Sequence, residues 1–121
     1  MNLFPKRFLR ILALAATIST SLAAGAPADE GPRVITIAAK RFEFSPNQLT
    51  LKKGQPVKIV VTSEDVTHGF FSRALKIDAD LTPGQTVEVP LTPAAAGVYT
   101  IICDHFCGAQ HGNMKLTVVV E

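Results

Sequence analysis

Tryptophan is absent from the chain, tyrosine occurs once, and cysteine occurs only twice. Charge is sparse as well, with 18% charged residues against 47% hydrophobic ones. Disordered chains need the opposite balance, so this composition excludes disorder and is compatible with a packed core. No basic block and no interleaving of aromatic and basic residues occurs beyond the N-terminus, which excludes nucleic acid as a partner. Beyond residue 26 no segment keeps a helical period, so helix bundles and alternating strand–helix folds are excluded too. No general acid–base pair is visible, and no independent catalytic site is expected. At 121 residues, the chain has room for one domain.

The N-terminus reads as a secretory signal peptide over residues 1–26, leaving 27–121 as the mature domain. Lys6, Arg7 and Arg10 form a basic start, and residues 11–24 are apolar or small. Small residues at 23–28 offer more than one cleavage point. A membrane-spanning helix needs about 20 predominantly apolar residues; this run is shorter and diluted by Thr17, Ser19, Thr20 and Ser21. The expected location is therefore exported, periplasmic in a bacterium, with membrane association only through an uncleaved N-terminus. Removing the segment leaves nine basic and ten acidic side chains, so the formal charge of +2 becomes −1.

The mature part is written in strands. Stretches at 33–38, 42–44, 48–51, 57–62, 86–91, 97–102 and 115–120 alternate or run apolar briefly. Turn signals separate them, among them Ser45-Pro46-Asn47, Lys52-Lys53-Gly54 and Thr82-Pro83-Gly84. Gly and Pro, eight of each, suit many short strands. Seven or eight strands at roughly ten-residue spacing predict an all-β sandwich or Greek-key barrel.

One stretch stands apart. Residues 103–114 carry Cys103, Cys107, His111 and Met114 at offsets 0, 4, 8 and 11, and His68 lies upstream in what reads as another loop. Two thiolates, imidazoles and a thioether are soft or borderline donors that favour copper over calcium, magnesium or manganese. A one-copper blue site uses two His, one Cys and a weak axial Met, so this loop holds one thiolate more. The simplest role for two thiolates four residues apart is to bridge two copper ions, each capped by one imidazole. Charge spread over two metals and two sulfurs suits a fast electron relay. Plainer readings remain: a structural disulfide, the usual fate of paired cysteines in an oxidising compartment, or a Cys2His2 zinc site, against which Met114 argues. Met114 alone reads as core, and His68 as a turn residue beside Gly69. His105, between the cysteines, is expected to face outward while its backbone carbonyl faces the metal.

These residues resemble a known family. Cys-x3-Cys-x3-His-x2-Met, preceded by Asp65-Val66-Thr67-His68-Gly69-Phe70, is similar to the dinuclear copper A (CuA) domain of cytochrome c oxidase subunit II and of nitrous oxide reductase. The likeness runs from about Phe42 to Val120. It implies a cupredoxin fold, with Cys103 and Cys107 bridging two coppers, His68 and His111 capping them, and Met114 a weak axial ligand. It also implies a carbonyl ligand at position 105, where the family usually has Glu or Gln and this chain has His105, a side chain able to titrate near neutral pH. The family's docking cluster of aromatics typically includes Trp, which is absent here; Phe70, Phe71 and Phe106 are the available substitutes, each equally suited to the core.

The expected role is an exported one-electron carrier, with a c-type cytochrome or a haem-copper oxidase as partner. Two alternatives stand beside it. One is a periplasmic copper chaperone, and the other is a subunit of an assembled terminal oxidase.

Overall fold

The computed structural model describes residues 31–121; the signal-peptide reading of residues 1–26 lies outside them. In chain order the strands are β1 Arg33–Lys40, β2 Glu43–Ser45, β3 Gln48–Leu51, β4 Val57–Ser63, β5 His68–Ser72, β6 Ile77–Leu81, β7 Thr86–Leu91, β8 Gly97–Ile102 and β9 Lys115–Val120. Period-two patterning explains most of them. In β4, Val57, Ile59 and Val61 point into the core while Lys58, Val60 and Thr62 line the opposite face. A 3-10 turn, His111–Asn113, precedes β9.

The strands form two sheets, ordered β2-β1-β4-β7 and β3-β9-β8-β5-β6. β1 runs parallel to β4 and β3 parallel to β9, whereas the other pairs are antiparallel. Between the sheets lies a continuous apolar core that includes Ile37, Ile59 and Val61 from one and Phe70, Ile101, Leu116 and Val118 from the other. Phe44 of β2 meets Phe70 of β5 edge-on, ring centroids 5.5 Å apart, which ties the layers together. Burying a side chain of that size contributes about 1.5–3 kcal/mol. The all-β sandwich expected from the sequence is the observed fold.

Two expectations need correcting. The described residues contain nine strands, not seven or eight, because β5 and β6 were not foreseen. His68 was expected in a separate loop. It is instead the first residue of β5, which neighbours β8 in the same sheet through the Phe71–Ile102 pair. Four of the five residues of β5 are buried, so no alternation marks it as a strand. In β6, Asp78 and Asp80 occupy the outward positions, and Asp is depleted in strands.

One end of the sandwich gathers three connections: the two-residue β1–β2 turn at 41–42, the β4–β5 loop at 64–67, and the β8–β9 loop at 103–114. The candidate site residues lie there.

Candidate metal centre

Sheet pairing delivers the two ends of the long loop to each other. Ile102 faces Lys115 in the β8–β9 ladder. One residue further out, the Cys103 N–H donates to the Met114 carbonyl at 3.2 Å. The return leg is a tight turn in which the N–H groups of His111 and Met114 donate to the carbonyls of Gly108 and His111. Gly108 has φ +146°, a backbone region that side chains with a Cβ rarely enter.

Inside this closed loop the soft donors converge. Cys103 and Cys107 are free, buried thiols with their Sγ atoms 3.6 Å apart. Met114 Sδ lies 4.0 Å from Cys107 Sγ, and His68 Nδ1 lies 3.9 Å from Cys103 Sγ. The donor atoms of His68, Cys103 and Cys107 are all within 4.8 Å of one another. Both flanking donors, His68 and Met114, are fully enclosed. The His105 carbonyl accepts from Cys103 Sγ at 3.1 Å while its imidazole is exposed. The Gly69 N–H points at Cys103 Sγ from 3.3 Å.

His111 stands outside the tight His–Cys–Cys group, on the 3-10 turn with its ring edge-on to Phe106 at 5.5 Å. Its Nδ1 is buried and makes no hydrogen bond. A buried polar nitrogen without a partner is costly, and a metal ion coordinated there removes that cost. Together with the soft donors, this orphaned nitrogen makes the residues a good fit for copper. The six positions singled out in the sequence thus fall at one end of the sandwich.

Two residues not assigned a role from the sequence hold the site in shape. Asp65 Oδ1 accepts from His68 Nε2 at 2.6 Å and from the Val66 N–H at 2.7 Å; Oδ2 accepts from the Arg41 N–H at 2.7 Å. Desolvation pushes the Asp65 pKa upward, but the Arg41 and Val66 amides and the His68 ring outweigh it and hold the pKa down at about 2. An ionised carboxylate only accepts hydrogen bonds. His68 Nε2 therefore donates to Asp65, and the ring is held with Nδ1 turned toward the thiols. The spacing of Asp65 three residues before His68 was the available signal. The second residue, Arg41, donates through Nε to the Cys107 carbonyl at 2.8 Å; nothing in the sequence marks it.

The Cys107 thiol resists ionisation when no cation is near. Loss of hydration, then the hydrogen bond and charge of Cys103, then the charge of Asp65 push the Cys107 thiol up to about 11, against a smaller opposing pull from Arg41. Metal binding at such a pair releases protons. Of the three phenylalanines weighed for docking, Phe70 is fully buried core and Phe106 is 73% exposed on the loop; Phe71 is half-buried.

A two-sheet sandwich with soft donors enclosed at one end defines a cupredoxin. The Cupredoxin-like domain family matches residues 9–120, and the chain belongs to it. Within that family it is similar to cytochrome c oxidase subunit 2 of Thermus thermophilus, 36% identical over 93 residues that cover 75% of this chain and 69% of that one. The relationship to oxidase subunit II read from the loop motif therefore holds. Among solved structures, the periplasmic domain of subunit II of cytochrome oxidase from Bradyrhizobium japonicum superposes with a TM-score of 0.68 at 20% identity, covering 74% of this chain and 83% of that one. Auracyanin A, a "blue" copper protein of Chloroflexus aurantiacus, superposes at 0.61 and 21% identity, covering 75% and 100%. These two share the fold. Among the described residues no helix is long and apolar enough to cross a membrane.

Proposed function

We propose that this domain is a periplasmic one-electron carrier holding two copper ions. Cys103 and Cys107 bridge them, His68 and His111 cap them, and Met114 and the His105 carbonyl are weak additional ligands. The observation that carries the reading is the pair of buried thiols 3.6 Å apart, with His68, Met114 and the His105 carbonyl beside them and the orphaned His111 Nδ1 on the same loop. A one-copper blue site is complete with a single thiolate. Its fold is shared here, so the extra thiolate of Cys107, rather than the fold, supports two metals.

Bound copper supplies a couple that takes up and returns one electron. The chain supplies rigidity and dryness. His68 is fixed on a strand end by Asp65, and Cys103 and Met114 are locked by the sheet pairing beside them. Donors held this way move little when the charge at the site changes. Full enclosure of His68 and Met114 favours a carrier over a chaperone, which must give its metal up. A c-type cytochrome or a haem-copper oxidase is the matching partner class, and the exposed Phe106 ring offers apolar contact area beside the loop. Membrane association would require an uncleaved N-terminal segment.

Serine substitutions test the bridging role. Cys107→Ser and Cys103→Ser each abolish the two-copper spectrum, because an alcohol does not bridge two soft metals comparably. Either variant retaining two coppers and an unchanged spectrum contradicts the proposal.

A further inference from the structure

The turn between β1 and β2 touches both ligand-bearing segments at once. Through its backbone N–H, Arg41 binds the Asp65 carboxylate that orients His68. Through Nε, 66 residues away in sequence, it binds the carbonyl of Cys107 at 2.8 Å. The neighbouring residue adds contact: a Cβ placed on Gly108 would lie 2.7 Å from the Phe42 ring and 3.6 Å from Arg41 Nε. The turn therefore packs directly on the loop backbone just after Cys107. The Cys107 bond crosses between the sheets, since β1 and β2 belong to one and β8 and β9 to the other, while Asp65 lies on the connection that leads from β4, beside β1, to β5.

We infer that Arg41 is a positioning residue of the metal centre, a tie that sets the separation between the His68 segment and the Cys107 end of the loop. The inference rests on the copper reading of the site and adds a residue outside the ligand motif. Its physical basis is that the two donors sit on separate segments joined by no direct bond between His68 and Cys107. Each is bonded to a group that Arg41 holds. Planar guanidinium makes the tie directional: Nε donates along a fixed line, which a lysine ammonium on a flexible stem does not reproduce. Outer-shell partners of metal ligands typically influence affinity by about 10- to 100-fold.

The backbone bond to Asp65 survives any side-chain change, so Arg41→Ala removes the Cys107 arm alone. The full chain and the Arg41→Ala and Arg41→Lys variants are loaded with copper. Release to a chelator, the electron paramagnetic resonance spectrum and the reduction potential are then compared. Arg41→Ala releases copper about tenfold faster with an altered hyperfine pattern and potential, and Arg41→Lys restores neither fully. A lowered melting temperature with unchanged release, spectrum and potential overturns the inference, because that is the mark of a merely structural residue. Complete rescue by lysine overturns the directional tie as well. Amide exchange of the metal-free protein separates this inference from the copper reading. Loss of the tie speeds exchange at His111, Asn113 and Met114, whose N–H groups are bonded within the loop. Parent protein that takes up no copper, with faster exchange in Arg41→Ala, sinks the copper reading and leaves the tie; equal exchange in parent and variant sinks the tie.

Discussion

Asp65 Oδ1 lies 2.6 Å from His68 Nε2, and this bond decides which imidazole nitrogen faces the thiols. The ring is fully buried, so its tautomer is set inside the protein rather than by water. Asp65 itself is anchored by two backbone amides. The chain of control runs from backbone to carboxylate to imidazole to metal face.

Asp65→Asn tests that chain. An amide can present either its oxygen or its NH2 to the ring, so the Nε2–H tautomer loses its exclusive claim. Copper affinity falls about 10- to 100-fold, with the β-sandwich intact by circular dichroism. A competition titration with a copper chelator measures it; an unchanged affinity contradicts the role given to Asp65.

Gly69→Ala acts from the other side of the thiols. A Cβ there would sit 2.7 Å from the backbone nitrogens of both Asp104 and His105, closer than Cβ contacts in proteins tolerate. The loop must shift, and the 3.3 Å bond from the Gly69 N–H to Cys103 Sγ is disturbed with it. Reduced copper stoichiometry and a changed spectrum are expected; a variant matching the parent in both shows that the loop has room to give.

Met114→Leu keeps the volume nearly constant and removes the thioether. Because volume-conserving core swaps cost less than about 1.5 kcal/mol, the fold stays and two coppers stay with it. The reduction potential shifts, as voltammetry of the loaded variant reveals. Loss of all metal means Met114 is a principal ligand rather than a weak one.

The metal-free protein carries a pH signature at Cys107. Its thiol is pushed from an ordinary 9.0 up to about 11, foremost by loss of hydration. The folded state thus keeps a proton that the unfolded chain gives up, and stability falls as pH rises from about 9 through about 11. Urea midpoints under reducing conditions across that range check it. With copper bound, the thiolates are already deprotonated and the same fall disappears.

Much of this was legible in the sequence, and the misses have physical causes. Thr86–Leu91 and Val57–Ser63 alternate, or are rich in β-branched residues, on faces that the sandwich buries selectively, so their strands could be read. His68–Ser72 is buried on nearly every residue, and Ile77–Leu81 carries two aspartates, so neither looked like a strand. The donor loop was legible because Cys, Cys, His and Met share one short segment. Arg41 was not: its role exists only because the fold lays a turn of one sheet against a loop of the other.

Two coppers bridged by two thiolates can be counted. The reduced domain is loaded with copper, freed of excess, and measured for metal per chain alongside its electron paramagnetic resonance spectrum. Two coppers per chain, with the unpaired electron coupled equally to both nuclei, is the result predicted. One copper per chain with coupling to a single nucleus contradicts it, and makes Cys107 a bystander in a one-copper site.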